Sequence, residues 1–225
     1  MRPLSNRLQA IFDLVPTSSK VCDVGTDHAY LPIALSKSQK AKAIIACDVN
    51  ESPLKKAKEN IEKAKAENID LRLSDGLSKI KKNEADTVII AGMGGDVICH
   101  ILSSCEWIKD KNVLLLLQPM TSAELLRLFL TDNLFEIEKE IALTDASKLY
   151  SVIVARYSGA KKNHKKGYEF IGEVTPETNE GKLYIEKQKR RIENHLKSIK
   201  DLSDKRSEAE NLSEILNYIE NILEN

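Results

Sequence analysis

Hydrophobic and polar positions alternate between two rhythms over the first 158 residues. Leu4, Leu8, Ile11 and Val15 share one face of a 3.6-residue repeat, predicting a short helix that Pro16 ends. Val21–Val24 is a short, mostly apolar run closed by Gly25, read as a strand. A helical stretch from His28 to about Ser38 follows, then the strand-like run at residues 43–47. Ser52 is placed as the cap of the next helix, with Pro53 at its first position, where a missing N–H does no harm. Glu51/Lys55, Lys55/Glu59 and Glu59/Lys63 stand four apart, the mark of a solvated helix face.

Further strands are predicted at Asp70–Leu73, Thr87–Ala91, Val113–Leu117, Phe135–Leu143 and Tyr150–Tyr157. Thr121 with Glu124 has the spacing of a capping box opening the helix that carries Leu125, Leu126 and Phe129. Short apolar strands alternating with amphipathic helices imply an α/β fold: a parallel, Rossmann-like sheet covered on both faces. The last two strands are adjacent, so an antiparallel pair is expected to end the sheet. Beyond Ser158 the rhythm changes. Ile185, Ile192 and Ile199 recur every seven residues, and Leu212, Ile215, Leu216, Ile219 and Leu223 continue at helical spacing. A polar stretch, Asp201–Arg206, separates the two, which predicts an antiparallel, coiled-coil-like hairpin.

Composition narrows the class. The 225 residues are 42% hydrophobic and 30% charged, enough for one large core plus an appendage. No aliphatic run approaches the roughly 20 residues of a membrane helix, and the opening residues do not read as a secretion signal, so a cytoplasmic protein is expected. Cys22, Cys47, Cys99 and Cys105 form no C-x-x-C pair and read as reduced thiols, with no metal site expected. The 34 basic and 34 acidic residues cancel, but unevenly. Residues 1–158 balance at 21 each, residues 159–200 hold 11 basic against 6 acidic, and residues 201–225 hold 2 against 7. The change coincides with the polar, glycine-bracketed stretch from Ser158 to Gly167. A boundary there divides a domain of residues 1–158 from a helical one of residues 159–225.

The chemistry is carried by the turns after the strands, where open α/β sheets bind ligands. The first turn reads Cys22-Asp23-Val24-Gly25-Thr26-Asp27-His28-Ala29-Tyr30. A dinucleotide fingerprint needs glycines at positions 25, 27 and 30; here Asp27 and Tyr30 take two of them. A carboxylate facing a pyrophosphate is repelled, and a tyrosine there blocks close helix–strand packing. S-adenosylmethionine has no phosphate and carries an ammonium and a sulfonium, which Asp23 and Asp27 suit. Asp48, followed by Val49, ends the second strand 23 residues after Gly25 and can accept bonds from ribose hydroxyls; a helix cap is the competing reading. Asp75-Gly76 can meet an adenine edge or make an ordinary turn. Gly92, Met93 and Gly94 come just past a strand, where glycines let a ligand approach the backbone. The Asn/Asp-Pro-Pro-aromatic clamp of many exocyclic amino-methyltransferases is missing there, which argues against amino methylation and leaves ring-nitrogen targets open. Gln118, after the fifth strand, is expected on the same rim, facing a base edge or solvent. His28 can shuttle a proton or hold a carboxylate, while His100, His164 and His195 fall outside the site.

Taken together, Leu4-Ser5-Asn6-Arg7-Leu8, Asp23 to Pro32, Asp75-Gly76-Leu77, Ala91 to Gly95 and Gln118-Pro119 resemble the bacterial tRNA (adenine-22-N1)-methyltransferases over essentially the whole chain. Thr26 stands where a serine is more usual, and either hydroxyl serves. The resemblance implies a class I methyltransferase domain with a C-terminal coiled coil, S-adenosyl-L-methionine as donor and N1 of adenosine 22 in tRNA as acceptor. It casts Asp27 and His28 as catalytic and Arg7, Asp23, Gly25, Thr26, Tyr30, Asp48, Asp75 and the Gly92–Gly94 turn as donor contacts. Arg7 is read as reaching the donor's carboxylate or an RNA phosphate. Lys161, Lys162, Lys165, Lys166, Lys187, Lys189, Arg190 and Arg191 are the candidate RNA contacts, against a solvated or dimerising helix face. A small-molecule methyltransferase and a non-catalytic binding scaffold are the rival readings, and both a monomer and a weak dimer stay open.

Overall fold

The computed structural model describes residues 3–200 and 202–224. Its centre is one seven-stranded sheet in the order β3-β2-β1-β4-β5-β7-β6. Strands β1 (Ser19–Val24), β2 (Ala41–Asp48), β3 (Ile69–Leu73), β4 (Thr87–Gly94) and β5 (Leu114–Thr121) run parallel. Strands β6 (Phe135–Asp145) and β7 (Lys148–Tyr157) form the expected antiparallel pair, with β7 inserted beside β5. Both faces are covered, which is why the central strands read as unbroken apolar runs. On one face α4 (Gly95–Ser103) and α5 (Ala123–Asp132) set Ile98, Ile101, Leu126 and Leu130 against Val88, Ile90, Leu115 and Leu117. On the other, α1 (Asn6–Leu14) and α2 (Tyr30–Lys37) bring Ile11, Leu31 and Leu35 onto Ile44, Ile89 and Leu116. Strand order reverses between β1 and β4, and the crevice at their carboxyl ends is the natural ligand position.

The C-terminal part is a short helix α6 (Tyr168–Ile171) and two long helices, α7 (Asn179–Ile199) and α8 (Arg206–Glu224). The heptad isoleucines 185, 192 and 199 are buried against Leu212, Ile215 and Ile219, as their spacing requires. Ala142 of β6, Ile171 and Val174 join the same cluster, so the hairpin packs on the edge of the sheet. Asp201, in the predicted turn, lies outside the described residues; Ser203–Lys205 forms a single 3₁₀ turn there. A buried network also ties the two parts together. Arg127 of α5 donates to Glu140 of β6 at 3.0 and 2.5 Å, to Tyr184 Oη of α7 at 2.8 Å and to the Glu169 carbonyl at 2.7 Å.

Three local expectations change. Helix α3 spans Glu51–Ala64 with Asn50, not Ser52, at its N-cap position and no side-chain capping bond, so Pro53 sits at its third position. That is still within the first turn, where no intrahelical acceptor is lost. The capping box at Thr121/Glu124 does not form: Thr121 ends β5, Ser122 precedes α5 in left-handed conformation, and Glu124 instead binds Arg191 at 2.6 Å. Gly92–Gly94 belongs to β4 itself, not to a loop beyond it.

Candidate active site

Main chain from β1 and β4, together with α1, encloses a pocket of about 270 Å³. Asp23, Gly25, Thr26, Asp27, His28 and Tyr30 line it from the β1 side, Ala91 and Gly92 from β4, and Arg7 from α1. Gly25 has φ +77°, and a Cβ there would collide with the Met93 methyl, so this turn admits glycine alone in its present packing. Ala29, one residue before α2, is left-handed at φ 56°, a conformation that costs an alanine about 1 kcal/mol. Asn60 of α3 donates to the His28 carbonyl at 3.0 Å and braces the same turn.

Asp23 is the buried charge of the pocket. Loss of water pushes its carboxyl up to about 6, with the Thr26 hydroxyl offsetting part of the effect. Thr26 Oγ1 is itself buried and has no partner of good hydrogen-bond geometry among the described residues. At the mouth, Asp27 is 74% exposed, with His28 Nε2 3.5 Å from its Oδ2. The His28 ring stacks on Tyr30 at 5.3 Å between centroids.

Arg7 is held from three sides. Nε donates to Asp145 at 2.8 Å, Nη1 to Gln118 Oε1 at 2.6 Å, and the guanidinium lies 5.4 Å from the centre of the Tyr150 ring. Gln118 is therefore not a rim residue. It is fully buried; Oε1 accepts from Arg7 and from the Gly92 N–H at 3.2 Å, and Nε2 donates to the Pro119 carbonyl at 2.8 Å. With both ends of its amide engaged, it braces the pocket wall rather than reading a base. Asp145, Tyr150 and Asn60 were missed by sequence reasoning, because each reaches the site through a distant strand or helix with no local motif.

The remaining donor-side residues lie along the strand ends. Asp48 closes β2 and accepts from the Asn50 N–H at 2.9 Å, a local turn bond rather than the helix cap that was the competing reading, since Asn50 holds the N-cap position of α3. Val49 beside it is 59% exposed. Asp75 is exposed in a turn after β3, whereas Gly76 is buried at φ +50°, where a Cβ would press on Ile101 of α4. Packing, not ligand approach, explains that glycine. Among the described residues no three metal-binding side chains converge.

The basic residues divide by position. Lys161 and Lys162 pair with Asp132 and Glu136 at 3.0 and 3.4 Å, at the end of the sheet opposite the pocket. Lys166 binds Glu214 at 2.7 Å and Lys189 binds Glu220 at 2.8 Å. Lys165 flanks the same far-end cleft, and Arg190 stands 3.8 Å from Glu186. Lys187 and Arg191 instead stand beside the ends of β5 and β7, on the pocket side. His195 meets Glu208 on the hairpin and His164 stacks on Tyr168, both outside the pocket as expected.

A doubly covered parallel sheet with one antiparallel strand, β7, inserted between β5 and β6, and an acid-lined first turn in place of a phosphate loop, fits a Rossmann-like methyltransferase. The methyltransferase domain family matches residues 4–153. The tRNA (adenine(22)-N(1))-methyltransferase of Bacillus subtilis is 39% identical over 156 residues, 68% of this chain and 64% of that protein. The crystal structure of the B. subtilis m1A22 tRNA methyltransferase TrmK superposes with a TM-score of 0.83 at 27% identity, covering 99% of this chain and 100% of that one. M. capricolum TrmK, solved with the cofactor product S-adenosyl-homocysteine, gives 0.81 at 28% identity over 97% and 99%. The chain belongs to the methyltransferase domain family, in its tRNA (adenine-22-N1)-methyltransferase branch.

Proposed function

We propose that this chain transfers a methyl group from S-adenosylmethionine to N1 of adenosine 22 in tRNA, in the cytoplasm. The observation that carries the reading is the pocket between β1 and β4, which sets the buried carboxylate of Asp23 and the exposed one of Asp27 in one lining with Arg7. The residues present fit that donor. Asp23 is a desolvated carboxylate suited to a cation, and Thr26 Oγ1 is a buried hydroxyl with no partner of good hydrogen-bond geometry among the described residues. Asp48 would accept from the ribose hydroxyls, exposed Val49 offers an apolar surface to the adenine ring, and Asp75 would meet its amino edge. Gly92, whose missing Cβ meets nothing nearer than Arg7, would admit the donor close to the main chain, with Gly25, Tyr30, Met93 and Gly94 around it. When bound, S-adenosylmethionine supplies a methyl group on positively charged sulfur.

Adenine N1 has a free lone pair at neutral pH, so the protein need not remove a proton from it. What the pocket must provide is alignment at about 3–3.5 Å and exclusion of competing water. N1 lies on the Watson–Crick edge, so the base must leave any stack or pair to enter. The methylated base is a cation. Asp27 at the mouth, oriented by His28, stabilises that charge as it develops. Residues 1–158 are read as the catalytic domain and residues 159–225 as the arm that meets RNA.

The test incubates the purified chain with labelled donor and unmodified tRNA and identifies the nucleoside by mass spectrometry against standards. The expected product is 1-methyladenosine at position 22. N6-methyladenosine as the direct product, with alkaline rearrangement excluded, would overturn the reading.

A further inference from the structure

Next to the pocket the rim carries a second depression. A groove of about 350 Å³ lies between the end of β5, the start of β7 and α7, with Thr121, Tyr150, Lys187 and Arg191 among its walls. It continues along α7 past Leu149 and Arg190. Arg7 joins the two sites, since it lines the first pocket while its guanidinium stacks over Tyr150 of the second. The groove is thus the next surface met by a chain whose target base enters between β1 and β4.

Of the three basic residues that line the groove, Lys187 differs from the two arginines. Lys187 Nζ reaches only the Leu149 carbonyl, at 3.5 Å, and has no carboxylate partner among the described residues. Arg191 is paired with Glu124 at 2.6 Å and Arg190 with Glu186 at 3.8 Å. The Arg190–Glu186 pair is solvent-accessible, so an incoming phosphate can replace that carboxylate at small net cost. Glu124, by contrast, is only 27% exposed, and Arg191, itself 57% exposed, would meet a phosphate while keeping its bond to Glu124. Lys187 and Arg191 stand one helical turn apart, about 6 Å along α7. Tyr150, half-buried, supplies an aromatic wall. An aromatic surface beside two cations is the combination that holds single-stranded nucleic acid, whereas an acidic peptide would not need the ring.

We propose that this groove binds the nucleotide flanking the target adenosine, with its base against Tyr150 and its phosphates at Lys187 and Arg191. The inference rests on the RNA reading above. It also separates Lys187 and Arg191 from Lys161 and Lys162, which lie at the opposite end of the sheet.

The full-length chain, donor and unmodified tRNA are compared across Lys187→Glu, Tyr150→Ala and Tyr150→Phe, with Lys111→Glu as an equal charge change at the far end of β5. Lys187→Glu is expected to raise KM for tRNA about tenfold, with kcat and donor affinity within about twofold of wild type. Tyr150→Ala is expected to raise KM for tRNA by a similar factor and also to weaken donor binding, because the ring braces Arg7. Tyr150→Phe restores KM, because stacking needs the ring and not the hydroxyl. The slope of log K against log salt flattens by about one for Lys187→Glu and not for Lys111→Glu. Wild-type KM and salt slope in Lys187→Glu and Tyr150→Ala, with tRNA still methylated, would remove the subsite alone. A wild-type chain that binds the donor but methylates no RNA would remove the RNA reading and the subsite with it.

Discussion

At the scale of single residues, the buried carboxylate of Asp23 sets a trade between stability and binding. Its pKa rises from 3.8 in the unfolded chain to about 6 in the fold, so folding takes up a proton between those values. Stability from this group is therefore greatest below about pH 4, falls as pH rises through about 6, and is level above that. A shift of that size corresponds to at most about 3 kcal/mol. Asp23→Asn is expected to stabilise the ligand-free chain by about 1–3 kcal/mol at pH 8 and by little at pH 4, read from urea unfolding at the two pH values. The same variant should bind S-adenosylmethionine more weakly, which calorimetry measures. Equal unfolding free energies for the two proteins at both pH values would show that the carboxylate is not strained. Asp48→Ala carries no such gain, because Asp48 is only half-buried at the strand end. It should simply weaken donor binding by about 1–3 kcal/mol, the scale of a lost charged hydrogen bond, and leave the melting temperature nearly unchanged.

Among the elements, the buried Arg127–Glu140–Tyr184 network is what joins helix α5, strand β6 and helix α7. The Arg127 and Glu140 side chains are 1% and 0% exposed. Removing one partner leaves the other charged and dry, so Arg127→Ala is expected to destabilise by about 3–5 kcal/mol. Tyr184→Phe deletes one hydrogen bond and keeps the ring, and should lose only about 1 kcal/mol. Thermal melts of the two variants rank them; a Tyr184→Phe loss as large as that of Arg127→Ala would mean that the hydroxyl, not the ion pair, holds the hairpin. Local rules were less dependable here. Thr121/Glu124 has the right letters for a capping box, but β5 continues through Thr121 and Glu124 is drawn to Arg191, 67 residues away.

For the whole molecule, the zero net charge hides a hairpin whose cations are mostly neutralised by its own carboxylates and by the sheet. A chain ending at Ser158 keeps every proposed donor contact but loses Tyr184, Lys187 and Arg191 and uncovers Ala142 and the Arg127–Glu140 pair. It is expected to melt at lower temperature and bind S-adenosylmethionine within a few-fold of the full chain, while tRNA affinity falls at least tenfold and its salt slope flattens. Unchanged tRNA affinity in a folded fragment would show that the hairpin is not the RNA-binding arm. Alternating apolar rhythms, the acid-rich first turn and the seven-residue isoleucine repeat determined the strands, the helices, the acid-lined pocket and the hairpin, since each is set by residues near in sequence. Only the tertiary structure decided which candidates share a site. It buried Gln118 behind Arg7, sent Lys161 and Lys162 to the far end of the sheet, and brought Tyr150, Asp145, Lys187 and Arg191 to the pocket side. Strand order, the insertion of β7 beside β5 and the packing of α7 on β6 make those placements, and contacts between residues so distant leave no periodic trace in the chain.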